Sequence, residues 1–375
     1  MRPDLDDVLE ISRFYGRDTD WVIAGGGNSS VKNDEVLLIK ASGFALADVT
    51  PESFVAIDRN VFGKVWSKEY PRESAAREEE ALRDLMESRL AGEVLRPSVE
   101  TGMHDAFPQR LVLHTHPTLV NGLICSRNGK EAAEDLFGDR LLWIPSINPG
   151  YVLGKKVREE ILRYQQDFGS YPEIVFMENH GLTTAAETVD GIHSLQQEVE
   201  KRIVAEIGEK VRLSPAEENS GSVERIKSAL SKSFQSLTGQ SPTILFDSSP
   251  ELLRYAASSE SVRPLLRPFS PDHIVYAGHA PLYLTDPDEA GEQYHIYTEA
   301  DGIPPKCVIV KDVGLFSIAA ADKTAETARM FFRDALKIAI YAEKFGGPKG
   351  MDDEKIEFIR EWEVERFRAN ISLEE

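Results

Sequence analysis

Leu111-Val112-Leu113-His114-Thr115-His116-Pro117 is an apolar run that ends in two histidines separated by one threonine. Read as a strand, it turns His114 and His116 to one face, because strand side chains alternate with a period of two. Each imidazole nitrogen taken from water needs a partner. The pair is therefore either two satisfied core histidines or half of a metal site.

Downstream, the apolar run Tyr171-Pro172-Glu173-Ile174-Val175-Phe176-Met177-Glu178 reads as a strand that delivers Asn179-His180-Gly181-Leu182. His180 at its end would complete three imidazoles on rigid strands, the ligand count of a catalytic zinc site with open positions. Upstream, Arg96-Pro97-Ser98-Val99-Glu100-Thr101-Gly102-Met103-His104 places Glu100 shortly before the histidine strand. A glutamate on a turn is ordinarily a solvated charge, and only a neighbouring strand would carry this one to the histidines. His193 lies within a helical pattern without a partner at ligand spacing, and reads as a packing residue.

Nearer the start, residues 4–15 have helical apolar spacing. Trp21-Val22-Ile23-Ala24 reads as a strand running into the turn Gly25-Gly26-Gly27-Asn28-Ser29-Ser30, with a second strand at Val36-Leu37-Leu38-Ile39-Lys40. Such a turn is either an ordinary hairpin or an anion-binding nest of uncovered amides. Ala41-Ser42-Gly43 offers a second small hydroxyl beside a glycine.

Composition narrows the functional class. The chain has 375 residues and a formal charge of −20, from 63 acidic and 43 basic residues. That balance argues against nucleic acid or an anionic membrane as partner. Two cysteines, Cys125 and Cys307, are too few for a disulfide framework and suit a reducing, cytoplasmic setting. No run approaches a membrane span, and no apolar leader is expected at the N-terminus. No Gly-x-Gly-x-x-Gly fingerprint follows a strand, so no nicotinamide domain is expected.

The polar stretch Pro215–Gly221 divides the pattern, giving domains at 1–214 and 215–375. The second is expected to be a smaller α/β domain with helices around 223–237 and 250–257, strands at His273–Ala277 and Lys306–Val310, and a long helix from Thr324 to Phe345. Pro305–Leu315 keeps step with Pro172–Leu182, with Val313 at the place of His180, and Ile274–His279 imitates Leu111–His116. The second half is thus either a degenerate, non-catalytic repeat or a chance likeness.

Gly27-Asn28-Ser29-Ser30, Ala41-Ser42-Gly43, Pro97-Ser98-Val99-Glu100 with His104, His114-Thr115-His116-Pro117 and Asn179-His180-Gly181-Leu182 stand in the order seen in class II aldolase/adducin proteins, which residues 5–210 resemble. The whole chain also resembles the aldolase part of bifunctional rhamnulose-1-phosphate aldolase/lactaldehyde dehydrogenases. The resemblance implies an α/β fold, an αβα sandwich around a central, mainly antiparallel sheet. It implies zinc or another divalent metal on His114, His116 and His180, and Glu100 as the group that moves a proton. Tyr151, brought by a neighbouring subunit, would serve the other reacting oxygen, so a homo-oligomer is expected. The implied substrate is a small phosphorylated sugar, its phosphate held by Asn28, Ser29, Ser42, Gly43 and Ser98. The implied reaction is cleavage of a ketose 1-phosphate, such as rhamnulose 1-phosphate, to dihydroxyacetone phosphate and a small aldehyde. Two departures stand out: Gly150 is inserted before Tyr151, and Val99 replaces a second serine. The fold also hosts epimerases, dehydratases, decarboxylases and non-catalytic adducin heads.

Overall fold

The computed structural model describes residues 2–214 and 220–362, so the expected boundary residues 215–219 lie outside the described residues. The chain forms two compact units. The first extends to Ile124, resumes over Asn128–Gly208 and includes Trp362; the second takes Cys125–Arg127 and Glu209–Glu361.

In chain order the first unit contains α1 (Asp6–Gly16), β1 (Asn28–Lys32), β2 (Val36–Lys40), β3 (Phe54–Asp58), α2 (Arg59–Phe62), α3 (Ser74–Glu87), α4 (Thr101–Ala106), β4 (Leu111–Thr115), α5 (Thr118–Ile124), α6 (Gly129–Phe137), β5 (Leu141–Ile144), α7 (Tyr151–Phe168), β6 (Ile174–Met177), β7 (Gly181–Ala186) and α8 (Val189–Ile207). Its seven strands lie in the order β3-β2-β1-β4-β7-β6-β5. Every neighbouring pair is antiparallel except β5 with β6. Helices cover both faces. Met103 of α4, Phe107 just after it, and Leu153, Val157 and Ile161 of α7 pack with Val112, Val175 and Met177 on one face, while α1, α5 and α8 lie against the other. Burial on both sides explains why β1, β2, β4, β6 and β7 are buried along their whole length rather than alternating with solvent.

Two sequence expectations need correction. Trp21–Ala24 is not a strand: Trp21 and Val22 donate their N–H groups to Asp18 O at 2.9 and 3.1 Å, and Gly26 to Ile23 O at 3.1 Å, so the segment coils. The strand begins at Asn28, and the expected turn residues Asn28, Ser29 and Ser30 are its first half. Polar residues can occupy a central strand here because each is hydrogen-bonded within the protein. His273–Ala277 is likewise no strand but a short π-helix.

The second unit contains α9 (Ser220–Thr238), β8 (Thr243–Asp247), α10 (Pro250–Ala256), β9 (Leu282–Leu284), α11 (Ala290–Asp301), β10 (Cys307–Val310), β11 (Gly314–Ala319), α12 (Asp322–Ala342) and α13 (Asp353–Glu361). Its sheet order β8-β11-β10-β9 repeats β4-β7-β6-β5 in topology, including the parallel final pair. The register repeats as well. Ile174 pairs with Thr184 and Met177 with Gly181, as Cys307 pairs with Ser317 and Val310 with Gly314. Both hairpins turn through a non-glycine residue in the left-handed region, Asn179 and Asp312, each at φ 56°. Asn and Asp tolerate that region better than other side chains. The counterpart of β4 is β8 and not His273–Ala277. Thr115 opposes Leu182 as Asp247 opposes Leu315, which sets Phe246 at the place of His114 and Ser248 at that of His116.

Among the described residues no helix is long and apolar enough to cross a membrane. The second unit's core centres on Phe316, fully buried with Val308, Val310, Tyr294 and Leu230 and 5.1 Å from the Phe246 ring. Phe316→Ala is expected to lower unfolding free energy by about 3–5 kcal/mol in a denaturant titration. A loss below about 1 kcal/mol would place this core elsewhere.

Candidate metal centre

The site lies on the α4/α7 face of the seven-stranded sheet. Asn28 of β1, His114 of β4 and Thr183 of β7 stand opposite one another across three strands, and cross-strand partners share a face. His116 follows β4 directly, and His180 occupies the β6–β7 turn, its N–H bonded to Met177 O at 3.0 Å. Two glycines make room for the group. A Cβ on Gly181 would lie 2.5 Å from Thr115 O, 2.7 Å from His116 Cδ2 and 3.2 Å from His114 Cε1. A Cβ on Gly27 would lie 2.7 Å from His114 O, and Gly27 has φ +66°.

One ligand atom from each of His114, His116 and His180 falls within 4.8 Å of the others. The ring centroids are 4.7, 5.0 and 5.3 Å apart. His114 Nδ1 lies 2.9 Å from Leu182 O, a carbonyl that only accepts, so Nδ1 carries the proton and Nε2 keeps its lone pair. That Nε2 faces His116 Nε2 at 2.9 Å. Burial pushes His114 well below the usual imidazole range, with His116 and His180 adding to it, so the ring is neutral. His180 Nδ1 is buried with no hydrogen-bond partner. Converging imidazoles, one with its tautomer fixed by a carbonyl and one with an unsatisfied buried nitrogen, fit a divalent cation.

Glu100 is brought beside them. It is only 8% exposed and forms the N-cap of α4, with Oε1 3.0 Å from His180 Nε2 and Oε2 3.7 Å from His114 Nε2. Burial pushes its carboxyl up, but His114, His180 and a hydrogen bond from Asn28 outweigh this and hold it well below the usual carboxylate range. The hydrogen bond that Asn28 Nδ2–H donates to Oε2 is 2.6 Å long. Oε1 lacks a hydrogen bond despite its approach to His180.

The other expected site residues are placed differently. Ser98 lies beside Glu100, its Oγ accepting from Glu100 N at 3.2 Å and Asn28 Nδ2 at 3.3 Å. Ala41 bridges Pro97 and Ser42 N donates to Arg96 O at 2.9 Å, so the Ala41-Ser42-Gly43 turn runs beside the segment leading to Ser98. Ser29 is not brought to this group. Its Oγ bonds Ser12 Oγ of α1 at 2.6 Å on the opposite face, as strand alternation requires. Val99 lines an apolar cavity with Phe62, Trp66 and Tyr151. Tyr151 begins α7, its ring 4.6 Å from Tyr70 and stacked on Trp66 at 6.4 Å, while its N–H donates to Glu78 Oε2 at 2.8 Å. His193 is a packing residue, its Nδ1 2.9 Å from Tyr15 Oη. Sequence reasoning missed Ser30 and gave His104 no role. Placing the strand at 28–32 would have shown Asn28, Ser30 and Lys32 sharing a face with His114.

These features define an α/β domain whose three converging histidines could hold a metal ion, and comparison with known proteins places it. Residues 6–205 match the class II aldolase and adducin N-terminal domain, and the chain belongs to that family. A relative described as the uncharacterized oxidoreductase YuxG of Bacillus subtilis (strain 168) is 23% identical over 420 residues, covering 98% of this chain. The chain spans 58% of that protein's length. Among solved structures, the N-terminal class II aldolase domain of a conserved protein from Thermoplasma acidophilum aligns with TM-score 0.46 and 23% identity over 55% of this chain and 94% of its own. L-fuculose-1-phosphate aldolase from Thermus thermophilus aligns with TM-score 0.33 and 18% identity over 52% of this chain and 92% of its own.

His180→Ala is expected to weaken divalent-metal affinity on the order of 10²-fold or more, because loss of a ligand costs at least as much as loss of a supporting hydrogen bond. Metal analysis after dialysis reads it, and full occupancy in the variant would remove His180 from the ligand set.

Proposed function

We propose that this chain is a divalent-metal-dependent sugar-phosphate aldolase. It would reversibly cleave a ketose 1-phosphate, of the rhamnulose 1-phosphate kind, to dihydroxyacetone phosphate and a small aldehyde. The observation that carries this reading is the Glu100 carboxyl, buried beside three converging imidazoles with Oε1 3.0 Å from His180 Nε2. His114, His116 and His180 would hold zinc or another divalent ion, whose chemistry when bound is that of a Lewis acid toward carbonyl and hydroxyl oxygens.

The chain's own residues supply the rest. Breaking the bond between C3 and C4 turns the C4 hydroxyl into an aldehyde and leaves an electron pair on C3, beside the carbonyl. Glu100 removes a proton from C3 in condensation and, protonated by that step, returns it to C3 in cleavage. In condensation Tyr151, from a neighbouring copy, gives its phenol proton to the aldehyde oxygen that becomes the C4 hydroxyl, and in cleavage the resulting phenolate takes that proton back. Burial and the nearby Glu78 raise its pKa, which keeps the phenol protonated between turnovers. Ser42, Gly43 and Ser98 would hold the phosphate through hydroxyls and backbone amides, so an acidic chain needs no basic cluster there. The second unit, which has Phe246, Ser248 and Val313 where the first has its histidines, is on this reading a degenerate repeat without metal chemistry.

Incubating the metal-loaded protein with a panel of ketose 1-phosphates should release dihydroxyacetone phosphate from at least one. Glu100→Gln should keep its metal and lose rate by about 10²-fold or more. Release of water or carbon dioxide, with no cleavage of any ketose phosphate, would sink the aldolase reading. Light scattering should show a homo-oligomer, and an active monomer would remove Tyr151 from the reaction.

A further inference from the structure

Gly150, the residue inserted before Tyr151, is explained by a buried carboxyl. It precedes α7 with φ 106°, in the region that favours glycine, and has no side chain to cap the helix. The first intrahelical bond runs from Gly154 N to Gly150 O at 3.1 Å, which leaves the N–H groups of Tyr151, Val152 and Leu153 without a partner inside α7. Glu78 of α3 meets the first two. Its Oε2 accepts from Tyr151 N at 2.8 Å, and the backbone of Val152 donates to the same carboxyl. A Cβ on Gly150 would lie 2.5 Å from that Oε2 and 3.1 Å from two ring carbons of Trp362. A side chain at residue 150 and a carboxyl at the start of α7 therefore exclude each other.

Glu78 is buried, and burial raises its pKa against the N–H groups of Tyr151 and Val152 and the Arg77 guanidinium, whose Nε lies 3.3 Å from Oε1. A carboxyl taken from water is costly unless it is paired. Here its partners are a guanidinium and a helix N-terminus, the end whose dipole favours negative charge. The same helix α3 also holds the tyrosine ring. Asp84 Oδ2 accepts from Tyr70 Oη at 2.6 Å, and the Tyr70 ring lies 4.6 Å from that of Tyr151. Trp66, with the Arg158 guanidinium 5.5 Å from its ring, stacks on Tyr151 at 6.4 Å. Backbone and ring of Tyr151 are thus fixed, while its Oη makes no hydrogen bond among the described residues.

We propose that Glu78 is a positioning residue for Tyr151: its carboxyl caps α7 in place of a side chain at residue 150 and fixes where the phenol stands. The kinetic form of this rests on the aldolase reading, in which Tyr151 serves the C4 oxygen, but the cap can be read without turnover. Displacing a reacting group by about 1 Å can cost on the order of 10²-fold in rate, and the start of α7 sets the place of the phenol. Glu78 touches no reacting atom and acts only through Tyr151.

Three variants of the full chain decide it. Glu78→Ala removes the cap, Glu78→Gln keeps an oxygen that accepts from Tyr151 N but removes the charge, and Gly150→Ala drives a Cβ against the carboxyl. Hydrogen exchange needs no substrate. Amides at a helix start ordinarily exchange freely, yet those of Tyr151 and Val152 should be protected in wild type, exchange faster by about 10-fold or more in Glu78→Ala, and stay near wild type in Glu78→Gln. Unchanged exchange in Glu78→Ala would overturn the cap. Fluorine NMR with 3-fluorotyrosine at position 151 reads the phenol itself. Burial, Glu78 and Glu159 raise the Tyr151 pKa against Arg77, so in Glu78→Gln the phenol should titrate at lower pH than in wild type, a shift that a merely space-filling residue would not cause. An unchanged titration would overturn the proposal. In steady-state cleavage of whichever ketose phosphate the wild type accepts, Glu78→Ala and Gly150→Ala should lower kcat by about 10-fold or more with KM changed less than about 3-fold, and Glu78→Gln should recover most of the loss. Wild-type kcat in a Glu78→Ala variant that has lost protection at α7 would overturn the positioning role. The expected exchange and titration with no ketose phosphate cleaved would leave Glu78 holding Tyr151 and discard only the reaction.

Discussion

Three side chains that carry or can accept charge, Glu100, His114 and His180, are withdrawn from water beside the half-buried His116, and much of the first unit is arranged around that cost. A buried carboxylate without donors would neutralise itself by shifting its pKa; here one oxygen is tied to Asn28 and the other left beside an imidazole. Buried imidazoles without partners would be as costly, and a carbonyl of β7 accepts a hydrogen bond from His114 Nδ1–H. The nitrogens left over converge on one volume. Glycines at 27 and 181 are explained by the same crowding, since any side chain there would collide with the histidine strand or the rings themselves.

The second unit separates scaffold from chemistry. Its hairpin has the strand lengths, register and left-handed turn of the hairpin that carries His180, yet the residue after the turn's Asp312 is Val313. Where His114 opposes Thr183, Phe246 opposes Phe316, and the two rings pack in an apolar core. One arrangement of backbone thus supports a polar, partly unsatisfied face in one unit and an ordinary packed core in the other. The turn itself does not require a ligand. The frame is thus compatible with either set of side chains, and the histidines stand on it in the first unit alone of the two hairpins.

The histidine strand was legible because period-two alternation fixes two imidazoles on one face whatever surrounds the strand. The long helices were legible from apolar spacing, with Thr188 capping α8 through Gly191 N. Sheet faces near the glycines were not. Trp21–Ala24 has strand-forming side chains but coils after α1, whereas Asn28–Lys32, poor in such side chains, forms a central strand because its polar groups find buried partners. That error moved Ser29 to the wrong face and hid Ser30. His273–Ala277 misled for a similar reason: five buried residues in a row read the same in a strand and in one π-helical turn. Partners distant in sequence, such as Asn28 with Glu100 and Ser30 with His104, leave no local signal.

Whether the three imidazoles bind one ion together is read by X-ray absorption at the zinc edge of the zinc-loaded full chain. A shared site requires a first shell with three imidazole nitrogens at about 2.0–2.1 Å, the remainder oxygen, and no sulfur. A shell with one imidazole or none, or with a thiolate at about 2.3 Å, would contradict it.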